Sequence, residues 1–118
     1  MTARLTDKQI VDRALSERAF REQVDELAAL LGWSSMHVDP LRTKRGWATP
    51  THGTLGKGWP DSVYIHPGKK RILFVEFKAE IGKLRPDQEH VIAVLRSAGL
   101  DVRVWRPSDF DTITEVLR

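Results

Sequence analysis

Residues 58–78 read GWPDSVYIHPGKKRILFVEFK, and this stretch decides the fold of the chain. It holds two strand-like runs, residues 61–66 and 71–78, which alternate or stay apolar as strands do. Pro67-Gly68 lies between them and is a typical turn signal. The stretch therefore predicts an antiparallel hairpin.

The length of this turn decides which side chains meet. A turn of residues 67–70 pairs His66 with Arg71. Counting outward from that pair, Asp61 then lies opposite Glu76. Because side chains alternate along a strand, a three-residue turn would put the two acids on opposite faces. A two-residue Pro-Gly turn is disfavoured because its twist fits a hairpin poorly.

The second run is apolar on both faces. Leu73, Val75 and Phe77 share one face, and Ile72, Phe74, Glu76 and Lys78 share the other. This pattern is typical of a strand covered on both sides. We therefore expect Glu76 and Lys78 to end a row of side chains that begins in the core.

Two carboxylates and an amine at one point are the groups that metal-dependent cleavage of a phosphodiester needs. Like charges opposed across strands destabilise by up to about 1 kcal/mol, so the pair Asp61 and Glu76 predicts a divalent cation between them. Mg²⁺ takes one or two protein carboxylates plus water and phosphate oxygens. Lys78 would hold or deprotonate the attacking water, or offset charge on phosphorus. The alternative is that Glu76 and Lys78 mark a solvated strand end, with Asp61 as a turn residue.

The rest of the chain predicts helices on both faces of a mixed sheet, an α/β fold in a single domain over residues 1–118. Thr6 with Gln9 is typical of a capping box and opens a short helix to about Leu15. Ser16 caps a second helix to about Leu31, one bent helix being the alternative. Further predicted elements are a strand at 34–38, a long glycine-rich loop at 40–59, a helix at 86–98, a strand at 102–105 and a final helix opened by Ser108 and Asp109.

Two more polar residues lie on apolar helix faces. Glu17 shares the stripe of Phe20 and Val24, and Gln88 shares that of Val91. Glu17 is either a third acid on the metal side or an acid favoured by the helix macrodipole. Gln88 either acts at the site or is a satisfied polar group in the first helical turn. The residues leave both pairs of alternatives open.

A basic, glycine-rich segment between Asp39 and Asp61 contains no acid. Its cations are Arg42, Lys44, Arg45 and Lys57. Such residues neutralise phosphates in sequence-independent DNA binding, and Trp47 or Trp59 would stack on an unpaired base. The alternatives are an ordinary solvated loop and a packing role for either tryptophan.

Composition excludes several other classes of site. The chain has no cysteine, which excludes disulfides and thiolate metal sites. The four histidines lack the close helical spacing of a zinc pair. No apolar run approaches the roughly twenty residues of a membrane span, and the first thirty residues carry charges without an apolar signal core. We therefore expect a cytoplasmic protein.

The motifs resemble those of the VRR-NUC branch of the PD-(D/E)xK nucleases, over most of the chain from about Ser16 onward. The ordered set that carries the resemblance is Gly58-Trp59-Pro60-Asp61, Phe74-Val75-Glu76-Phe77-Lys78, Leu84 to Gln88, Gly99 and Val104-Trp105-Arg106-Pro107. The short chain is similar to stand-alone members encoded by bacteriophages and prophages. It departs from the usual pattern at Ser62, where an apolar residue is common, at Trp59 in place of phenylalanine, and at Arg85 in place of a capping serine or threonine.

The resemblance implies a restriction-endonuclease-like core and a cut that depends on Mg²⁺ or Mn²⁺. It implies that Asp61, Glu76 and the backbone carbonyl of Phe77 bind the metal, and that Lys78 is the catalytic lysine. Glu17 corresponds to the acid of the first family helix, and Gln88 to the glutamine of the helix after the core strands. Stand-alone members resemble dimeric nucleases that act on branched DNA such as Holliday junctions, so a homodimer and a branched DNA substrate are expected.

We therefore predict an endodeoxyribonuclease that recognises DNA shape more than sequence. The first alternative is a DNA-binding module of the same fold with an inactive site. The second is a small structural or regulatory phage protein whose charged residues are only solvated ends.

Overall fold

A computed structural model describes residues 3–118 of the chain. Its helices are α1 (Asp7–Ala14), α2 (Glu17–Leu30), α3 (Pro86–Ser97) and α4 (Phe110–Leu117), and a 3-10 turn at Pro107–Asp109 leads into α4. Its strands are β1 (Ser34–His37), β2 (Leu41–Thr43), β3 (Gly46–Ala48), β4 (Ser62–His66), β5 (Arg71–Phe77) and β6 (Val102–Trp105).

The central sheet has the strand order β1-β4-β5-β6. Strand β4 is antiparallel to β1 and β5, whereas β6 is parallel to β5. A parallel pair needs a long crossover, and α3 supplies it between β5 and β6. The predicted mixed sheet flanked by helices is confirmed.

The hairpin of β4 and β5 has the predicted register. His66 pairs with Arg71 across the turn. Lys70 completes the turn in the left-handed region, at φ 52°, and its N–H donates to the carbonyl at position 67 over 3.1 Å. This turn fixes which residues of β4 and β5 are paired. The last pair away from the turn is Ser62 with Val75, so Asp61 and Glu76 are the next positions opposite each other.

The larger core lies between one face of the sheet and helices α2 and α4. Phe77 is central to it, with Phe20 of α2 edge-on at 5.5 Å and Trp105 at 5.9 Å. The buried side chains of this cluster are Phe20, Val24, Ala28, Trp33, Tyr64, Leu73, Val75, Phe77, Trp105, Ile113 and Leu117. Because Phe77 alternates with Glu76 and Lys78, its packing here turns those two side chains to the other face.

Helix α3 covers only half of that other face. Val91, Leu95 and Val102 form a second small core there, against which Phe74 packs. Nearer the turn the face is open, and Ile72 is 52% exposed. The expectation that the row ending in Glu76 and Lys78 begins in the core is therefore wrong at Ile72. The row that ends in Glu76 and Lys78 begins at the surface with Ile72.

The expected long loop at 40–59 is also partly wrong, since β2 and β3 form a separate two-stranded hairpin within it. Its turn is closed by the Thr43 hydroxyl, which donates to the Gly46 carbonyl over 2.7 Å, and Gly46 takes a φ of 110°. All six strand residues are exposed. Without a buried face there is no alternation of apolar residues by which the sequence could indicate these strands.

The N-terminal segment forms two helices, because Leu15 is extended between them. Thr6 and Gln9 form the predicted capping box, and Ser16 accepts a hydrogen bond from the N–H of Ala19 at the start of α2. No residue of α1 is buried. Over residues 3–118, no helix has the length and apolar character that crossing a membrane requires.

Candidate active site

The two acids of the hairpin lie side by side where the two central strands of the sheet meet the loops, at the start of β4 and the end of β5. Asp61 directly precedes β4, and Glu76 is near the end of β5. The N–H of Asp61 donates to Oε2 of Glu76 over 3.0 Å, and the N–H of Phe77 lies 3.4 Å from Oδ2 of Asp61. The backbone of each strand therefore orients the acid of the other.

Lys78 completes the group that the sequence singled out. Its Nζ lies 3.7 Å from Oε1 of Glu76, and the side chain is almost buried. The N–H of Lys78 continues the parallel ladder by donating to the carbonyl of Trp105 over 3.0 Å. The ladder therefore fixes the backbone of Lys78, which is the point from which the side chain extends to Glu76.

Gln88 joins the start of α3 to the acid of β5. Its Oε1 accepts the N–H of Arg85 over 3.0 Å, which closes the first turn of α3. Its Nε2 donates to Oε1 of Glu76 over 2.8 Å. Gln88 is thus at once a helix-capping residue and a buried donor to the acid.

The loop that delivers Asp61 passes very close to the same helix end. A Cβ at Gly58 would overlap the carbonyl oxygen of Asp87 in the first turn of α3. Only glycine lets the backbone approach this closely. The contact holds the segment before Asp61 against the helix that carries Gln88.

Glu17 lies at the rim of the site, in the first turn of α2, and is exposed. It lines the same cleft as Asp61 and Glu76. Arg21, one turn further along α2, also faces the cleft and pairs with Asp39, with Nη1 and Oδ1 3.1 Å apart. The geometry brings Glu17 to the acids, although not into hydrogen-bond contact with them.

Burial raises the pKa of both central acids. Desolvation raises the pKa of Asp61 to about 6; the hydrogen bond from Ser62 opposes the shift, and the negative charge of Glu17 adds to it. Desolvation raises the pKa of Glu76 to about 7, with a further contribution from the charge of Asp61, while the ammonium of Lys78 opposes the shift. Near pH 7 the pair therefore holds less negative charge than two free carboxylates would.

The acids open into a cleft of about 420 Å³. Its walls come from α2, the segment around β2 and β3, the loop before β4, the end of β5 and the start of α3. The lining side chains include Glu17, Arg21, Lys57, Trp59, Asp61, Glu76, Lys78, Arg85 and Gln88. The cleft is lined by side chains of both signs of charge.

The oxygen donors of the cleft match one kind of divalent cation site. Within residues 3–118, no three histidine or acidic side chains are arranged as a ready-made metal site. Two adjacent carboxylates, Asp61 and Glu76, remain as oxygen donors facing an open cleft. Mg²⁺ is commonly held by one or two carboxylates, with water and substrate phosphate as its other ligands. The residues fit a cation of that kind and do not fit a closed, all-protein cage.

A family comparison agrees with this geometry. The model of the VRR-NUC domain matches residues 7–109 of the 118-residue chain. The chain belongs to the VRR-NUC family. Its domain is therefore a nuclease of the PD-(D/E)xK type that acts on DNA. Searches of the curated proteins and of the solved structures found no significant match.

The four basic residues predicted to contact DNA in this VRR-NUC chain divide into two groups. Arg42, Lys44 and Arg45 lie on the exposed β2–β3 hairpin, whereas Lys57 lines the cleft itself. Trp47 of the same hairpin is 70% exposed, and the Arg42 guanidinium lies 5.8 Å from its ring centroid. Trp59, by contrast, packs edge-on against Phe74. Of these two tryptophans, Trp47 has the more exposed ring.

Sequence reasoning missed the polar residues behind the VRR-NUC site. In the sequence Ser62 stands out only as a departure from the family pattern, yet its hydroxyl donates to Oδ1 of Asp61 over 2.7 Å. His37 and Asp25 connect to Ser62 in turn. No spacing relates these three residues, so only the packing of α2 and β1 on β4 reveals the connection.

Proposed function

We propose that this VRR-NUC protein is an endonuclease that depends on Mg²⁺ or Mn²⁺ and cuts structured DNA. One observation carries the proposal: the backbone N–H of the half-buried Asp61 donates to the buried Glu76, and both acids lie beside Lys78 in an open cleft. Opposed acids with raised pKa values cost stability without a cation. Perturbed acids in a cleft are typical of functional sites.

In the proposed mechanism, Asp61 and Glu76 would hold the cation through their carboxylate oxygens, and the carbonyl of Phe77 would be a further oxygen donor. The bound ion would lower the pKa of a water and offset charge on the phosphate. The ammonium group of Lys78 donates a hydrogen bond to the attacking water or to a phosphate oxygen. Gln88 fixes Glu76 by its 2.8 Å hydrogen bond. Glu17 adds negative charge at the rim of the cleft.

The DNA backbone would run from the β2–β3 hairpin into the cleft. Lys57 neutralises a phosphate near the acids, and Arg42, Lys44 and Arg45 neutralise phosphates farther away. The exposed ring of Trp47 would stack on an unpaired base, which duplex DNA does not offer. Selectivity for junctions, flaps or other branched DNA follows from that contact.

We also propose that the active species is a homodimer. A four-way junction needs two symmetric cuts, and a two-fold dimer supplies that geometry. Met36, Ile65 and Ile72 support the idea, because they leave apolar surface on the open half of the sheet. Light scattering that finds only monomer at working concentration would exclude the dimer and leave the nuclease proposal intact.

The test is a nicking assay on fluorescent junction, flap, splayed-arm, duplex and single-stranded DNA, with Mn²⁺, Mg²⁺ or EDTA. We expect cutting of branched DNA with either metal and none in EDTA. Asp61→Ala, Glu76→Ala and Lys78→Ala should each abolish it, whereas Glu89→Ala, an exposed acid on α3, should not. Wild-type cutting by all three site variants would refute the assignment. Salt-dependent binding without any cutting would indicate an inactive DNA-binding module instead.

A further inference from the structure

We infer that Asp25, His37 and Ser62 form a hydrogen-bonded chain that positions Asp61 for the metal. The inference rests on the proposed function, because it assigns a role toward the cation that Asp61 would hold. The three residues come from three elements, α2, β1 and β4. Their role is to orient the acid, not to touch the metal or the DNA.

The hydrogen-bonded chain from Asp25 to Asp61 is continuous. The Ser62 hydroxyl lies 2.7 Å from Oδ1 of Asp61, and Nδ1 of His37 lies 2.6 Å from that hydroxyl. On the far side of the imidazole ring, Nε2 lies 2.8 Å from Oδ2 of Asp25. The other oxygen of Asp25 accepts the Tyr64 hydroxyl over 2.6 Å. Each link is within ordinary hydrogen-bond distance.

The number of available protons fixes the direction of the first two links. A serine hydroxyl has one proton to donate, and an ionised carboxylate has none. When Asp61 is ionised, Ser62 must donate to it, so the oxygen of Ser62 must accept from Nδ1–H of His37. The link to Asp25 then needs one further proton, which lies on Nε2 of His37 or on Oδ2 of Asp25.

Packing holds the chain in one arrangement. Ser62 is 1% exposed. The ring of His37 lies edge-on to those of Tyr64 and Phe77, with centroids 6.0 Å and 6.5 Å away. No buried side-chain nitrogen or oxygen in the described part of the chain lacks a partner. His37 and Asp25 are partly buried, and a fully hydrogen-bonded network of this kind restricts the rotamers of its members.

The result is a carboxylate with one donor on each oxygen. Ser62 donates to Oδ1 of Asp61, and the N–H of Phe77 approaches Oδ2. A carboxylate oxygen has two lone pairs, so each oxygen keeps one for a cation. Residues that orient a metal ligand in this way typically change metal affinity by about 10- to 100-fold when mutated.

The experiment measures Mn²⁺ affinity by calorimetry without DNA, so that it does not depend on cutting. We expect Ser62→Ala to weaken Mn²⁺ binding by about 10- to 100-fold. His37→Gln should weaken it similarly, because its amide lies nearer the Nε2 position. His37→Asn should lose less Mn²⁺ affinity than His37→Gln, because its amide N–H replaces the donor at Nδ1 and only the link to Asp25 is lost.

His66→Gln is the matched control. His66 is also half-buried, with Nε2 3.1 Å from the Leu31 carbonyl and Nδ1 accepting the N–H of Lys69 over 3.0 Å, but it is outside the chain. Its substitution should leave Mn²⁺ affinity unchanged. Thermal melting of every variant checks the fold, and Asp25→Asn replaces the His37 variants if those do not fold.

Mn²⁺ affinity within twofold of wild type for both Ser62→Ala and His37→Gln would overturn the inference, provided that Asp61→Ala abolishes binding. The proposed function would survive that result. An equal loss in His66→Gln and His37→Gln would also overturn it, since the effect would then be general destabilisation. If wild type binds no Mn²⁺, or if Asp61→Ala binds it normally, the proposed function and this inference fail together.

Discussion

The backbone N–H of Asp61 donates to the carboxylate of Glu76 over 3.0 Å, so the segment that carries one acid orients the other. The two acids cannot separate without breaking the pairing at the open end of the hairpin. Because the hydrogen bond comes from the backbone, it persists when the side chain of Asp61 is replaced. Substitutions at position 61 therefore remove the carboxylate while the backbone hydrogen bond that orients Glu76 remains; loss of the Asp61 charge removes one of the causes that raise the pKa of Glu76.

The stability of the metal-free protein should fall as pH rises. The pKa values of Asp61 and Glu76 rise from 3.8 and 4.5 to about 6 and about 7 on folding. The folded state therefore binds more protons between about pH 4 and 7, and its stability decreases through that window. Each unit of pKa shift corresponds to about 1.4 kcal/mol.

Urea denaturation in EDTA at pH 5 and pH 8 measures this effect. Glu76→Gln is the control, because it removes one titrating group and keeps an oxygen for the N–H of Asp61. The variant should lose less stability than wild type between the two pH values. Equal losses in the two proteins would contradict the assigned origin of the pH dependence.

Substitutions at Gln88 should separate its two roles. Gln88→Ala leaves Arg85 N–H and Glu76 Oε1 without their partner, so we expect about 1 kcal/mol lower stability and about 10- to 100-fold weaker Mn²⁺ binding. Gln88→Glu keeps an acceptor for the helix end but cannot donate to Glu76 when ionised. It should preserve the helix end while losing Mn²⁺ affinity, as seen by circular dichroism and calorimetry. Normal Mn²⁺ affinity in both variants would remove Gln88 from the site.

The exposed hairpin should contribute a measurable share of DNA affinity. Removing one cation that neutralises a phosphate reduces the slope of log K against log salt by about 0.9 for duplex DNA. Replacing Arg42, Lys44 and Arg45 together by alanine should therefore reduce the slope by up to about 3. Fluorescence anisotropy over a series of salt concentrations, with EDTA present to prevent cutting, would measure it. Lys83→Ala is a comparison outside this hairpin, and an unchanged slope in the triple variant would exclude the hairpin as a DNA-binding element.

Trp47 should discriminate branched DNA from duplex. Loss of one stacked base costs about 1–3 kcal/mol, so Trp47→Ala should weaken binding to flaps and junctions by about tenfold or more while leaving duplex binding nearly unchanged. Trp47→Phe should restore part of the affinity because it retains an aromatic face. The measurement is competition anisotropy with matched duplex and branched DNA. An equal loss on both substrates would mean that Trp47 does not read unpaired bases.

The β4–β5 hairpin could be predicted from sequence because two local features fix it. The alternation of residues in the two runs shows which side chains share a face of the sheet. The four-residue turn at 67–70 fixes which residues of the two strands are paired. The adjacency of Asp61 and Glu76 then follows by counting. The same reasoning could not find β2 and β3, whose residues are all exposed. Sequence reasoning also placed Ile72 in the core, although it is exposed, because the part of β5 that α3 covers is set by tertiary packing.

The residues behind Asp61 were beyond sequence reasoning for a different reason. Asp25 lies on α2 and His37 on β1, and their contact depends on how α2 docks on the sheet. Ser62 gave the only local signal, as a polar residue where the family commonly has an apolar one. Its burial at 1% exposure next to Asp61 explains how the hydroxyl is tolerated, because both hydrogen-bonding partners are built into the fold.

Gly58 lies so close to the start of α3 that a substitution there should also inactivate the protein, although Gly58 carries no charged group. Gly58 is three positions before Asp61. Even the smallest change there, the single methyl group of alanine, would overlap the carbonyl of Asp87. A random mutagenesis screen for dead variants should therefore return this position, which has no side chain, beside the acids and the lysine. We therefore expect only glycine to be tolerated at position 58, because the backbone of α3 leaves no room for a side chain there.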